Sequence, residues 1–182
     1  SSSDHIDQRY FAAARELGRR MGEAGHALVF GGGNNGLMNA MAVEAQTAGG
    51  KVIGVIPIAL RERKWCLETS DELIVTDGMR DRKAIMEERA DAFIAMPGGF
   101  GTLEELLEII TLKQLRYHAK AIVILDVGGY YDPLLAQFDR MFAEGFARRK
   151  FAELYHVTAD PADALTYIER YEPPDDVPAK LP

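Results

Sequence analysis

An apolar run, Ala92-Phe93-Ile94-Ala95-Met96, passes straight into Pro97-Gly98-Gly99-Phe100-Gly101-Thr102-Leu103-Glu104-Glu105, after which residues 103–116 repeat apolar side chains at helical spacing. This is a strand, a tight turn and a helix. No other stretch constrains the fold as much, because a strand feeding a helix through a short turn implies a parallel sheet whose ligands lie at the carboxyl ends of its strands. Glycines at 98, 99 and 101 let the backbone approach a ligand with its N–H groups turned inward, and a helix start adds partial positive charge. The turn therefore suits an anion, phosphate above all. Glycine also serves turns that bind nothing, and Thr102-x-x-Glu105 has the spacing of a capping box as well as that of a carboxylate set for chemistry. Spacing leaves both readings open.

The same alternation runs through the rest of the chain. Ile6, Tyr10, Phe11, Ala14, Leu17 and Met21 recur at helical spacing, with Ser3 or Asp4 as N-cap. A strand at 26–30, the turn Gly31-Gly32-Gly33-Asn34-Asn35-Gly36, a helix at 37–48 and a strand at 51–56 follow. This βαβ order places both glycine turns on one edge of the sheet, where a nucleotide would sit. Arg61-Glu62-Arg63-Lys64-Trp65 lacks apolar periodicity and reads as a solvated loop. A short strand at 73–75 precedes Gly78-Met79-Arg80-Asp81-Arg82-Lys83, which opens a helix ending near Arg89. Its cations Arg80, Arg82 and Lys83 oppose the helix dipole, and either a bound anion or plain solvation offsets them. Residues 121–125 form a strand, 131–143 a helix and 162–170 a last helix. One domain is expected over 1–171, with 172–182 a loose tail and a first strand absent before the opening helix.

Composition narrows the function classes. A chain of 182 residues with 47% hydrophobic content suits one well-buried α/β domain. A formal charge of −7 argues against a general nucleic-acid or membrane-surface binder. The single cysteine, Cys66, excludes an internal disulfide framework and fits a packing role in a reducing cytoplasm. No signal peptide is expected, no membrane-length apolar run is present, and His5, His26, His118 and His156 lack metal-ligand spacing. A Gly-x-x-x-x-Gly-Lys-Ser/Thr run is also missing, which argues against an ATPase of the P-loop kind.

Taken together, Gly31-Gly32-Gly33-x-x-Gly36-Leu37-Met38, Met79-x-x-Arg82-Lys83 and Pro97-Gly98-Gly99-x-Gly101-Thr102-x-x-Glu105 resemble the LOG family, the cytokinin riboside 5′-monophosphate phosphoribohydrolases. The likeness continues through Gly129-Tyr130-Tyr131-Asp132-Pro133-Leu134-Leu135 and Glu144-Gly145-Phe146, covering nearly the whole chain. Family members have also been labelled possible lysine decarboxylases, although no lysine here sits in a recognisable pyridoxal context. The resemblance implies a Rossmann-like, doubly wound parallel sheet with helices on both faces, a homodimer or larger assembly, and no cofactor. It implies hydrolysis of a nucleoside 5′-monophosphate to free base and ribose 5-phosphate. By position it assigns catalysis to Arg82 and Glu105, and substrate contacts to Lys83, Gly98, Gly99, Phe100, Gly101, Thr102, Thr111, Gly32 and Gly33.

Those residue types suit the chemistry. Cleavage of an N-glycosidic bond builds positive charge on the ribose, which the Glu105 carboxylate can stabilise, or it can take a proton from the attacking water. Arg82 stays protonated and offers a fork to phosphate or ribose oxygens. Thr111 is about 120° round the helix from Glu105 and roughly 9 Å along it, so it is expected to serve a partner subunit's site. Lys64 stands where many relatives have a glutamate, Arg80 replaces a usual histidine and Asn39 a usual glycine. Base specificity is therefore open, with AMP or another 5′-monophosphate as alternative substrates. A change of class is the remaining alternative: molybdenum cofactor carriers share the fold and glycine turns without hydrolysing anything.

Overall fold

The computed structural model describes residues 3–173, so the expected tail lies outside the described residues apart from Glu172 and Pro173. The chain divides into two compact units, one running to Ala90 and the other beginning at Asp91. In the first, α1 (Gln8–Glu23) precedes β1 (Leu28–Phe30), α2 (Gly36–Thr47), β2 (Val52–Pro57), the short α3 (Ile58–Glu62), β3 (Glu72–Thr76) and α4 (Met79–Arg89). The strands pair in parallel in the order β1-β2-β3, with Phe30 opposite Gly54 and Pro57 opposite Thr76. The middle strand β2 is buried along its whole length, which is why it reads as an unbroken apolar run. Leu28, Phe30, Ala42, Ala45, Val52 and Leu67 form the core of this unit.

The second unit comprises β4 (Ala92–Ala95), α5 (Phe100–Gln114), β5 (Ala121–Leu125), α6 (Asp132–Ala143), β6 (His156–Thr158) and α7 (Pro161–Arg170). Its strands are again parallel, in the order β4-β5-β6. The central β5 is buried throughout, and Ala95, Leu106, Ile122, Ile124, Tyr131 and Phe138 pack into one cluster around it.

Three local expectations need correction. Asp7, not Ser3 or Asp4, caps α1, accepting from Arg9 N at 2.9 Å. Asp4 instead accepts from Gly36 N at 2.8 Å, where α2 begins. The charged run 61–65 is not all loop, since α3 extends through Arg61 and Glu62. The strand β6 was not anticipated at all, because three residues, His-Val-Thr, carry too little alternation to register.

Lys113 on α5 is buried, its Nζ has no hydrogen-bond partner among the described residues, and it lies 4.6 Å from the centre of the Tyr171 ring. Burial pushes its pKa down to about 8. Between pH 8 and its ordinary 10.5 the unfolded chain therefore holds a proton that the folded chain has released, so stability rises with pH across that window. Below pH 8 both states are protonated and the full cost of burying the charge is present. Lys113→Met is expected to raise the unfolding free energy at pH 7 by about 1–3 kcal/mol and to flatten this rise. Urea unfolding of both proteins at several pH values measures it; a variant no more stable at pH 7 contradicts the assignment.

Candidate active site

Each glycine turn stands at the carboxyl end of a strand in its own unit. In the first unit β1 ends at Phe30, and Gly31, Gly32 and Gly33 are all buried. Gly32 has φ 71°, in the left-handed region that favours glycine. The segment after α3 docks onto this turn: Leu67 N donates to Gly32 O at 2.8 Å, Gly33 bridges to Cys66, and Asn34 Nδ2 donates to Lys64 O at 3.0 Å. Lys64, the departure from the family glutamate, thus has its backbone tied to the turn and a left-handed φ of 61°. Cys66 is buried, and desolvation pushes its thiol pKa up, which suits packing rather than nucleophilic work.

Arg82 lies in the first turns of α4 and is only 7% exposed, so solvation does not explain this cation. Its Nε donates to Val55 O, in the central strand, at 3.0 Å. Asp81 supplies the acidic residue that a helix start favours, and Lys83 is half-buried. The Gly36 N–H at the start of α2 serves Asp4.

In the second unit α5 starts at Phe100, three residues earlier than the apolar period indicated. Gly99 is the N-cap, no side chain caps the helix, and its first turn holds no acidic residue. Thr102 and Glu105 therefore lie inside the helix, which removes the capping-box reading of their spacing. Three residues apart, they share one face, both half-buried. Gly98 is buried beneath Thr102, since a Cβ at that position would fall 2.2 Å from Thr102 Oγ1. Phe100 is 93% exposed at the helix start. Thr111 is exposed and its hydroxyl donates to Leu107 O at 2.7 Å.

Two adjacent tyrosines hold the second turn from behind. Tyr130 OH donates to Gly98 O at 2.5 Å and Tyr131 OH to Met96 O at 2.6 Å. Tyr131 N in turn donates to Asp126 Oδ1 at 2.6 Å. Tyr131 is fully buried, and desolvation raises its pKa well above the ordinary value, keeping the hydroxyl a donor. The sequence reading included both residues in a family motif but gave them no role.

The first unit thus gathers Gly31, Val55 and Arg82 at one turn, and the second gathers residues 98–102 with Glu105 one helical turn on. No helix among the described residues is long and apolar enough to cross a membrane.

Comparison with known proteins adds the family. A family profile described as "Possible lysine decarboxylase" matches residues 38–168. The chain is 44% identical over 165 residues to a rice (Oryza sativa subsp. japonica) protein named "Probable cytokinin riboside 5'-monophosphate phosphoribohydrolase LOGL5", covering 91% of this chain and 67% of that one. It is 41% identical over 181 residues to cytokinin riboside 5′-monophosphate phosphoribohydrolase LOG7 of Arabidopsis thaliana, covering 99% and 83%. Among solved structures, the molybdenum cofactor binding protein of Rippkaea orientalis superposes with a TM-score of 0.71 at 21% identity, covering 92% of this chain and 91% of that one. That likeness speaks for a shared Rossmann-like fold.

Proposed function

This chain belongs to the family described as possible lysine decarboxylases, alongside proteins named LOG phosphoribohydrolases, and on that premise we propose that it hydrolyses the N-glycosidic bond of a nucleoside 5′-monophosphate. A cytokinin nucleotide is the first-choice substrate, and the products are free base and ribose 5-phosphate. The bond from ribose C1′ to the base breaks with its electron pair passing to the base nitrogen, while water oxygen bonds to C1′. One proton leaves that water as the base takes one up. No cofactor or metal is required by this balance.

Glu105 is assigned to stabilise positive charge on the ribose and accept the water proton. The observation that carries this assignment is the N-cap of α5 at Gly99, with the helix running from Phe100, which puts Glu105 more than a full turn inside it and off the capping-box position. Arg82 is assigned to orient the substrate through its fork, with Lys83 as a second cation. Gly98, Gly99, Phe100, Gly101 and Thr102 are assigned to the 5′-phosphate, supported by an uncapped helix start free of first-turn acids. Gly32 and Gly33 are assigned to close approach of substrate. Thr111 is assigned to a partner subunit's site in a homodimer, supported by its exposure on α5. The proposal keeps 1–171 as one catalytic domain, supported by a family match unbroken from 38 to 168, and places the enzyme in the cytoplasm.

The test is incubation with isopentenyladenosine monophosphate, AMP and other nucleoside 5′-monophosphates, with assay of free base and ribose 5-phosphate. Preferential release from the prenylated nucleotide is expected. Release mainly from AMP would replace the cytokinin reading by a broader nucleosidase and direct attention to Lys64. No release by the folded protein would overturn hydrolysis and favour a binding role.

A further inference from the structure

We infer that Gly31 is a positioning residue for Arg82, its missing side chain being the space in which the guanidinium sits. A Cβ at Gly31 would fall 1.7 Å from Arg82 Nη2 and 2.9 Å from Arg82 Cζ. The other near atom, Met38 Sδ, is 3.4 Å away, close to ordinary contact. Backbone conformation gives no competing reason for the glycine, since Gly31 is not among the residues with positive φ. Alanine can adopt this backbone, and what it cannot do is share space with the arginine.

The far end of an arginine is normally free to swing away from a new methyl group. Here it is not. Arg82 is 7% exposed and its Nε is held by Val55 O at 3.0 Å, so the guanidinium lies between the end of β1 and the central strand β2. Clearing a methyl at Gly31 requires a displacement of roughly 1.5 Å or more, given that non-bonded heavy atoms settle near 3.5 Å. Moving Nη2 that far rotates the planar group about the bond that fixes it, or breaks that bond. The seating itself is a statement about residues of one unit. Its consequence for turnover rests on the hydrolase reading, in which Arg82 orients the substrate and a misplacement of about 1 Å costs on the order of 100-fold.

The experiment uses Gly31→Ala in the full chain with two readouts. The first is the NMR cross-peak of Arg82 Nε–H, identified by its disappearance in Arg82→Lys. It is expected to shift strongly or to be lost in Gly31→Ala, while backbone amide peaks of the second unit stay in place. An unchanged Nε–H peak overturns the inference. The second is kcat/KM on the nucleotide that the wild type cleaves, expected to fall about 100-fold in Gly31→Ala. A rate within twofold of the wild type also overturns it. Should Gly31→Ala fail to fold, adding Arg82→Ala is expected to restore folding, because removing the guanidinium makes room for the methyl; no restoration overturns the inference. The NMR and folding readouts need no turnover. A wild-type protein that hydrolyses nothing would therefore sink the functional proposal while leaving the seating of Arg82 to be judged separately.

Discussion

Glu105→Gln is expected to lower kcat for base release by about 1,000-fold while leaving nucleotide affinity within about threefold, as removal of a general acid–base group does. The substitution keeps the shape of the side chain and its helix propensity, and removes the charge and the basic oxygen. A capping role would instead leave turnover unaffected and stability nearly so, since glutamine serves at that position of a capping box as glutamate does. Because Gly99, and not Thr102, occupies the N-cap position of α5, a capping box at 102–105 has no structural basis. Product release and nucleotide titration, together with a thermal melt on the same samples, separate the two. Turnover within threefold of the wild type would remove Glu105 from the mechanism.

Arg82→Lys is expected to reduce kcat/KM by about 100-fold and to destabilise the fold by about 1–3 kcal/mol. Lysine keeps the charge but loses both the planar fork and the Nε–H that meets Val55 O. The stability loss arises because that carbonyl belongs to a strand buried on both faces, where losing a hydrogen bond is costly. Base-release kinetics and urea unfolding measure the two effects. A variant with wild-type kcat/KM would show that charge alone suffices at this position.

Much of this was legible in the sequence. The runs at 52–56 and 121–125 are apolar at nearly every position because each forms the middle strand of a parallel sheet, and such strands announce themselves by composition. The glycine turns were legible as turns. The start of α5 was not: Gly99, Phe100 and Gly101 carry no helical period, and Phe100 points its apolar surface at solvent. That three-residue difference decides whether Glu105 is a cap. Burial of Arg82 was illegible for another reason, since one of its partners is a backbone carbonyl 27 residues away and backbone atoms leave no mark on composition. The role of Asp4 escaped similarly, its partner being the amide of Gly36.

The hydroxyls of Tyr130 and Tyr131 fix the carbonyls of Gly98 and Met96, which lie more than thirty positions earlier in the chain. The glycine turn is therefore not a portable cassette. Transplanting residues 97–102 into another scaffold, or randomising them in directed evolution while leaving 126–131 untouched, would vary one half of a two-part joint. For laboratory redesign of substrate preference, the smallest unit that can be exchanged intact includes both stretches, and library diversity belongs on the pair.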